Sequence, residues 1–150
     1  MSLTVDVATD GERVPLSRSR VGDIARRVLR AERVREALIS ITFVSAPRIA
    51  SLNRKHLAHR GSTDVISFGF ARPSSRDPVM GDIYIAPTVA RRNAAKQGIS
   101  VREEITRLVV HGVLHVLGHD HPDGDARYTS SMWGRQERLV ARLKGSGATT

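Results

Sequence analysis

The chain has 150 residues, of which 40% are hydrophobic, so it is long enough to bury the core of one domain. It contains no cysteine, which excludes disulfides and thiolate metal sites, so a metal would have to be held by His, Asp or Glu. No apolar run has membrane-spanning length, and the first residues lack the basic and apolar pattern of a secretory signal. We therefore expect a cytoplasmic protein without membrane contacts, with residues 1–150 as a single domain and 144–150 as its flexible tail.

The charge balance is strongly basic. Lys and Arg number 24 against 15 Asp and Glu, which gives a net charge of +9 and a pI near 11.3. Such an excess favours a polyanionic partner that is bound through its phosphates. Most of the basic residues are arginine, which suits bidentate phosphate binding, although a compositional bias of the source organism would produce the same excess.

The N-terminal part of the chain predicts a strand followed by a basic helix. Leu3, Val5 and Val7 alternate with other side chains, as in an edge strand. Apolar residues then recur at helical spacing over residues 19–31, which predicts an amphipathic helix. The other face of this helix is either a solvated basic surface or an RNA-contacting one. It carries Arg26, Arg27, Arg30 and Arg33.

Three stretches in the middle of the chain predict strands: residues 39–44, 62–70 and 81–86. They are rich in β-branched or aromatic residues, and the first of them alternates between bulky apolar and smaller side chains. Residues 71–79, between the last two strands, are rich in Pro, Ser and charge and predict a surface loop.

Further helices are predicted around these strands. A short helix passes through Ile49 and Leu52. Another begins at Pro87, which is typical of a first helical turn, and ends at Gly98, which can adopt the left-handed conformation that closes a helix. A last helix is expected over residues 125–143.

One helix is marked by a capping box, because Ser100 is followed three residues later by Glu103. This signature predicts a helix over residues 101–117. Its buried side is expected to carry Val101, Ile105, Leu108, Val109 and Val113. The elements together predict an α+β fold, in which a small mixed β-sheet packs against helices.

The sequence HGVLHVLGHDH, residues 111–121, predicts a metal site. His111 and His115 are four residues apart, so they project from the same face of the predicted helix. Gly118 can end the helix and turn the chain, which lets His121 return as a third ligand. Three imidazoles leave a fourth coordination position open, as in catalytic zinc sites, so these histidines are the candidate metal ligands and act in catalysis through the bound metal.

The spacing H-x3-H-x2-G-x2-H is also that of the metzincin proteases, with one difference. Those proteases carry the Glu that serves as general base at the position where this chain has Gly112, so a peptidase would lack its proton acceptor. His119 is expected to point to solvent or to the rim of the site and to bind no metal. The alternative is a histidine cluster that binds no metal at all.

HGVLHVLGHDH, preceded by MGDIYIA and by LNRKHLAHRGSTDVISFGF, resembles the YbeY family of metal-dependent endoribonucleases that act in ribosomal RNA maturation. The resemblance implies one zinc ion held by His111, His115 and His121 in a fold related to zincins. It also implies cleavage of single-stranded RNA, processing of small-subunit ribosomal RNA, ribosome quality control and contact with the small ribosomal subunit. DNA is not an expected partner.

Two positions differ from the family pattern. His119 replaces a tyrosine of the usual motif. Leu57, four residues after Asn53, stands where many members carry an arginine implicated in activity. Lys55 and Arg60 are the nearby residues that could supply this charge.

Five other residues of these motifs have structural explanations. Asp64, Ser67 and Asp82 are expected to cap turns at strand ends. Asp120 either orients a histidine ligand or caps its own turn. Trp133 is expected to pack in the core, because a chain with so few aromatic residues is a poor candidate for RNA recognition by stacking.

The leading hypothesis is a metal-dependent phosphodiesterase that acts on RNA. A zinc ion would activate water and polarise a phosphoryl oxygen, while arginines would hold the strand. One alternative is a metalloprotease or a metallohydrolase with another substrate. The other is a ribosome assembly factor in which the zinc is mainly structural.

Overall fold

The computed structural model describes residues 2–57, 63–121 and 124–147, and in these ranges it has four strands and five α-helices. The strands are β1 (Leu3–Thr9), β2 (Ala37–Phe43), β3 (Val65–Phe70) and β4 (Val79–Ile85). The helices are α1 (Arg18–Ala31), α2 (Ala46–Leu57), α3 (Pro87–Gln97), α4 (Val101–Val116) and α5 (Ser131–Gly147). Within the described ranges, no helix combines the length and the apolar character that a membrane span requires.

The strands form one mixed sheet in the order β1-β2-β4-β3. β1 pairs with β2 and β2 with β4 in parallel, whereas β3 runs antiparallel to β4. The predicted mixed sheet is confirmed, and β1 is an edge strand as expected. The parallel pair β1–β2 is connected through α1, because parallel neighbours need a crossover.

The main core lies on one face of the sheet. Along β2, alternate side chains are buried, from Ala37 to Phe43, as the pleat of a strand requires. Helices α1 and α4 pack on this side, and α5 packs on α4. The opposite face carries a smaller cluster under α2 and α3, consisting of Val44, Ile49, Leu52, Ile66, Ala86 and Val89.

Helix α4 is the most enclosed element, because it contacts the sheet, α1, α3 and α5. The predicted apolar side is confirmed at Ile105, Leu108, Val109 and Val113, while Val101 is only partly buried. Val110 and Leu114 on another side are also fully buried. The sequence pattern predicted one buried side of α4, whereas other elements cover the helix on several sides.

Helix ends follow the predicted chemistry. Oγ of Ser100 accepts a hydrogen bond from the backbone N–H of Glu103 at 3.1 Å, which confirms the start of α4. The Glu103 carboxylate instead pairs with Arg107 and Lys144, so the capping box is only half formed. Gly98 closes α3 with φ of 69°, as expected.

The bounds predicted for the last helix, residues 125–143, were wrong at both ends. Residues Gly124–Thr129 form a 3₁₀ helix, and α5 begins at Ser131, where Oγ of Ser130 accepts from the N–H of Trp133. α5 also continues to Gly147, so residues 144–147 are helical rather than part of a tail. Lys144 contributes to this extension, because its ammonium lies 2.6 Å from the Glu103 carboxylate. Residues 148–150 lie outside the described ranges.

Candidate metal centre

Three histidines converge at the C-terminal end of α4. The ring centroids of His111 and His115 are 4.6 Å apart, and each lies about 5 Å from the ring of His121, at 5.1 and 5.0 Å. One ligand nitrogen from each ring lies within 4.8 Å of the others. The structure therefore brings together the three residues predicted from the motif, and the group could hold a metal ion.

The turn after α4 brings His121 back to the helix. Gly118 has φ of 98°, the left-handed region that favours glycine. Its N–H donates to the carbonyl of His115, and the N–H of His119 donates to the carbonyl of Leu114, which is the Schellman pattern of helix termination. Asp120 then accepts a hydrogen bond from the backbone N–H of His121 at 2.9 Å, which supports turn capping, one of its two predicted roles.

His119 points away from the other three histidines. Its Nε2 lies 2.7 Å from a carboxylate oxygen of Glu32, and the same carboxylate binds Arg135 on α5. These contacts lower the pKa of Glu32, against the opposing effect of its burial. His119 thus joins the turn to the end of α1, and its side chain remains 34% exposed.

The orientation of His111 is fixed by Gln136, which is almost completely buried on α5. The side-chain amide of Gln136 donates to Glu137 at 3.1 Å, and Arg107 holds Glu137 at 2.9 Å. The amide oxygen of Gln136 therefore accepts from Nδ1 of His111, at 2.7 Å. This bond places the proton on Nδ1 and leaves Nε2 as the ligand atom.

Sequence reasoning missed Gln136, although a signal was present. It occupies a position on the apolar side of α5 between Met132 and Val140, both of which are buried. A polar residue on such a stripe needs a hydrogen-bonding partner inside the protein.

Burial keeps two of the imidazoles neutral. Burial lowers the pKa of His111, and the neighbouring charges of His121 and Arg127 lower it further. Burial, with the charges of His111 and His121, lowers the pKa of His115 to about 4. Both rings are therefore in the unprotonated state that binds a metal at neutral pH.

Gly112 lies where α4 touches the sheet. A Cβ atom at this position would lie 2.8 Å from Cγ2 of Ile83 and 3.2 Å from Oγ of Ser67. The helix therefore has no room for the glutamate found in metzincins, because any side chain there would collide with β3 and β4. Ser67 was expected to cap a turn, but it faces this contact, and its buried Oγ has no hydrogen-bond partner among the described residues.

A cleft of 490 Å³ opens beside His111. One wall carries Tyr128 and Trp133, whose rings meet edge to face with centroids 4.8 Å apart. The core role predicted for Trp133 was wrong, because it is only half-buried and lines the cleft, whereas Met132 beside it is in the core. Sequence reasoning also missed Tyr128 and Arg127, which belong to the 3₁₀ helix that it took for part of α5.

The cleft contains both acids and arginines. Burial raises the pKa of Asp64, and burial together with the charge of Asp64 raises that of Glu104. Arg127 lies close enough to lower the pKa of both Asp64 and His111. The cleft beside the metal centre therefore holds a positive charge that can face a phosphate, while its acids are ionised less readily than usual.

Of the two other predicted turn caps, Asp64 and Asp82, only the first accepts backbone N–H groups. Asp64 accepts backbone N–H groups at the start of β3, as expected, and its side chain also accepts from Asn93 at 3.2 Å. Asp82 is not a turn cap, since it accepts from Oγ of Ser40 at 2.7 Å across the β2–β4 pair.

The position of the family arginine is only partly described. Leu57 ends α2, but its side chain and the whole of Arg60 lie outside the described part of the chain. Lys55 is exposed on α2, and Asn53 is buried.

The fold and the site define a zincin-like α+β protein whose three histidines surround a candidate metal position. The family model described as Endoribonuclease YbeY matches residues 6–144, and the chain belongs to this family. It is 35% identical to the endoribonuclease YbeY of Thermobifida fusca, with 96% of each chain covered. It is 31% identical to that of Syntrophus aciditrophicus, over 97% of this chain and 92% of the relative.

The fold is also similar to a solved structure. The solution structure of TM1509 from Thermotoga maritima superposes with a TM-score of 0.63 at 21% identity. The match covers 97% of this chain and 93% of that one, so the two proteins share the whole fold.

Proposed function

We propose that the protein is a metal-dependent endoribonuclease that cleaves single-stranded RNA during ribosomal RNA maturation. Family membership over residues 6–144 supports the reaction class. The observation that carries the proposal is the convergence of His111, His115 and His121 next to a cleft that contains Arg127. A ribosomal substrate is the reason that we propose a cytoplasmic location and contact with the small ribosomal subunit.

Zinc is the metal that we propose for this centre. Its donors are three imidazoles with no sulfur ligand, and two of them are held neutral by burial. This set suits zinc and leaves a coordination position open. A bound zinc ion would supply Lewis acidity, which lowers the pKa of water and polarises a phosphoryl oxygen.

The chain itself supplies positioning and charge. Gln136 keeps Nε2 of His111 directed at the centre by fixing the proton on Nδ1. Arg127 lines the same cleft as His111 and would stabilise negative charge that develops on a phosphate there. Gly112 offers no proton acceptor, because α4 packs directly on the sheet there.

RNA cleavage in the presence and absence of a chelator tests the function. The protein is incubated with an end-labelled single-stranded RNA, with an excess of chelator, and with zinc restored after chelation. We expect cleavage that the chelator abolishes and zinc restores. A protein that co-sediments with the small subunit but cuts no RNA under any of these conditions would instead be a ribosome assembly factor.

Metal analysis of two histidine variants tests the ligand set. We expect about one zinc per chain in the wild type, because three imidazoles complete a catalytic site except for its open position. His115→Ala should lose most of the metal and the cleavage. His119→Ala is the matched control, since it removes an imidazole that pairs with Glu32 instead. Equal metal loss from both variants would show that the ligand set is wrong.

A further inference from the structure

Tyr128 and Trp133 stand out among the few aromatic residues of the chain. Phe43 is fully buried, and Phe68 and Tyr84 pack against the smaller core cluster. Tyr128, by contrast, is 53% exposed and stands in the cleft with Trp133. The planes of these two rings are nearly perpendicular, at 85°, so they form an angled aromatic surface in a cleft whose other lining residues are mostly polar.

A cation lies directly against this aromatic surface. The guanidinium carbon of Arg127 lies over one face of the Tyr128 ring, 5.6 Å from its centroid, so a base would use the remaining surface of the two rings. Arg127 and His111 also line the same cleft. A nucleotide combines the two chemical groups that these residues can bind, a planar base and an anionic phosphate.

The cleft continues into a second hollow. This hollow has a volume of 300 Å³, shares Asp64 and Asn93 with the cleft, and is also lined by Arg92 and Lys96. A strand with one base at the aromatic rings can therefore extend its backbone toward further cations. The acids Asp64 and Glu104 line the cleft and oppose this attraction.

We propose that Tyr128 and Trp133 form a nucleobase-binding subsite, in which one unpaired base of the RNA stacks while its phosphate is held by Arg127. This inference rests on the proposed function, because it names how the same cleft recognises its substrate. Base stacking on an aromatic side chain requires that the base leave its helix, so the subsite selects single-stranded over duplex RNA. This proposal departs from the expectation that a chain with so few aromatic residues is a poor candidate for RNA recognition by stacking.

Trp133 makes the proposal directly testable, because it is the only tryptophan of the chain. The zinc-loaded protein is titrated with three oligomers of equal length: single-stranded oligoadenylate, the same strand in a duplex, and an abasic sugar-phosphate strand. Tryptophan fluorescence reports on the subsite, and fluorescence anisotropy gives the affinity. We expect the single strand to quench Trp133 and to bind roughly 10-fold or more tightly than the abasic strand. The duplex should quench weakly.

Variants of exposed aromatic residues separate stacking from general binding. Tyr128→Ala should remove most of the preference for oligoadenylate over the abasic strand, whereas Tyr128→Phe should keep it because the ring remains. Phe70→Ala is the matched control, since Phe70 is 54% exposed but lies on β3 outside the lining of the cleft. Circular dichroism and thermal melting verify that each variant is folded.

The outcomes also separate this inference from the proposed function. RNA cleavage with equal affinity for base-containing and abasic strands, and with no quenching of Trp133, would overturn the subsite and leave the nuclease intact. An unaltered preference in Tyr128→Ala would likewise overturn it. Quenching with base preference but without cleavage would support the subsite and count against the nuclease.

Discussion

At the scale of single residues, the metal centre depends on a chain of hydrogen bonds that begins far from it. Arg107 holds Glu137, Glu137 accepts from Gln136, and Gln136 accepts from His111. Each bond fixes the orientation of the next group, so the ligand atom of His111 is set before any metal arrives. Such partners of metal-binding histidines typically contribute 10–100-fold to metal affinity.

Replacing Gln136 with leucine tests this chain. Gln136→Leu keeps the volume of the buried side chain but removes the acceptor for Nδ1 of His111, so we expect zinc affinity to fall about 10–100-fold. Competition with a chelator of known affinity measures the change. Gln97→Leu serves as control, because Gln97 lines the same cleft without contacting His111. Equal zinc affinity in both variants would show that Gln136 does not contribute to zinc binding.

Glu104 is expected to cost stability at neutral pH. Its folded-state pKa is raised by burial and by Asp64, so the folded protein holds this proton more tightly than the unfolded chain does. The free energy of unfolding therefore falls as the pH rises above 4.5, the pKa of this carboxyl in the unfolded chain. Above the folded-state pKa it falls no further and remains at the lower level. We expect Glu104→Gln to unfold at higher urea than the wild type at pH 7, with the difference shrinking as the pH approaches 4.5. A difference that is independent of pH would contradict this linkage.

At the scale of elements, α4 lies unusually close to the sheet. A Cβ atom added at Gly81 would lie 2.6 Å from a methyl group of Val116, and one at Gly69 would lie 2.9 Å from the carbonyl of Val116. Gly112 makes the third such contact, from the helix side, at Ile83. These glycines allow the metal-binding helix to rest directly on β3 and β4, and the same closeness leaves no space for a glutamate beside the histidines.

Two glycine-to-alanine substitutions separate helix propensity from packing. Gly112→Ala gains helix propensity but forces Cβ against Ile83, so we expect a net loss of stability on the order of 1–3 kcal/mol. Gly22→Ala in α1 is the control, because the atoms nearest to its added Cβ belong to the flexible guanidinium of Arg26, at 3.1 Å. It should be neutral or more stable by up to about 1 kcal/mol. Urea denaturation measures the free energy of unfolding of both variants. Equal changes would show that the close packing at Gly112 does not determine the effect of an added methyl group.

At the scale of the whole molecule, the net charge of +9 governs how RNA is attracted. Part of this positive charge is already neutralised within the protein, because Arg107 and Arg135 are paired with carboxylates. Arg26 is also engaged, because it donates to the carbonyl of Leu3. The net charge therefore overstates the number of cations that can meet a phosphate.

The salt dependence of RNA binding tests this view. We expect affinity for a single strand to fall about 10-fold between roughly 50 and 200 mM salt, because a few phosphate contacts release counterions. Arg127→Gln should flatten the dependence, whereas Arg30→Gln on the exposed face of α1 should not, if that face is only solvated. A wild-type affinity that is insensitive to salt would mean that the arginine excess reflects composition alone.

The sequence by itself determined the histidine centre and most element boundaries, because these depend on neighbours within one or two helical turns. The four-residue spacing of His111 and His115, the left-handed Gly118 and the Ser100 cap are local features that need no knowledge of the fold. The family motifs extended this local information to the zincin-like fold.

The tertiary structure alone decided what surrounds the centre. The partner of His111 is 25 residues away in the chain and that of His119 is 87 residues away, so no spacing rule connects them. Trp133 has the pattern of a core residue, but the 3₁₀ helix before α5 turns it and Tyr128 into the cleft. Which side chains meet across elements depends on how the elements pack, and packing is set by the whole chain at once.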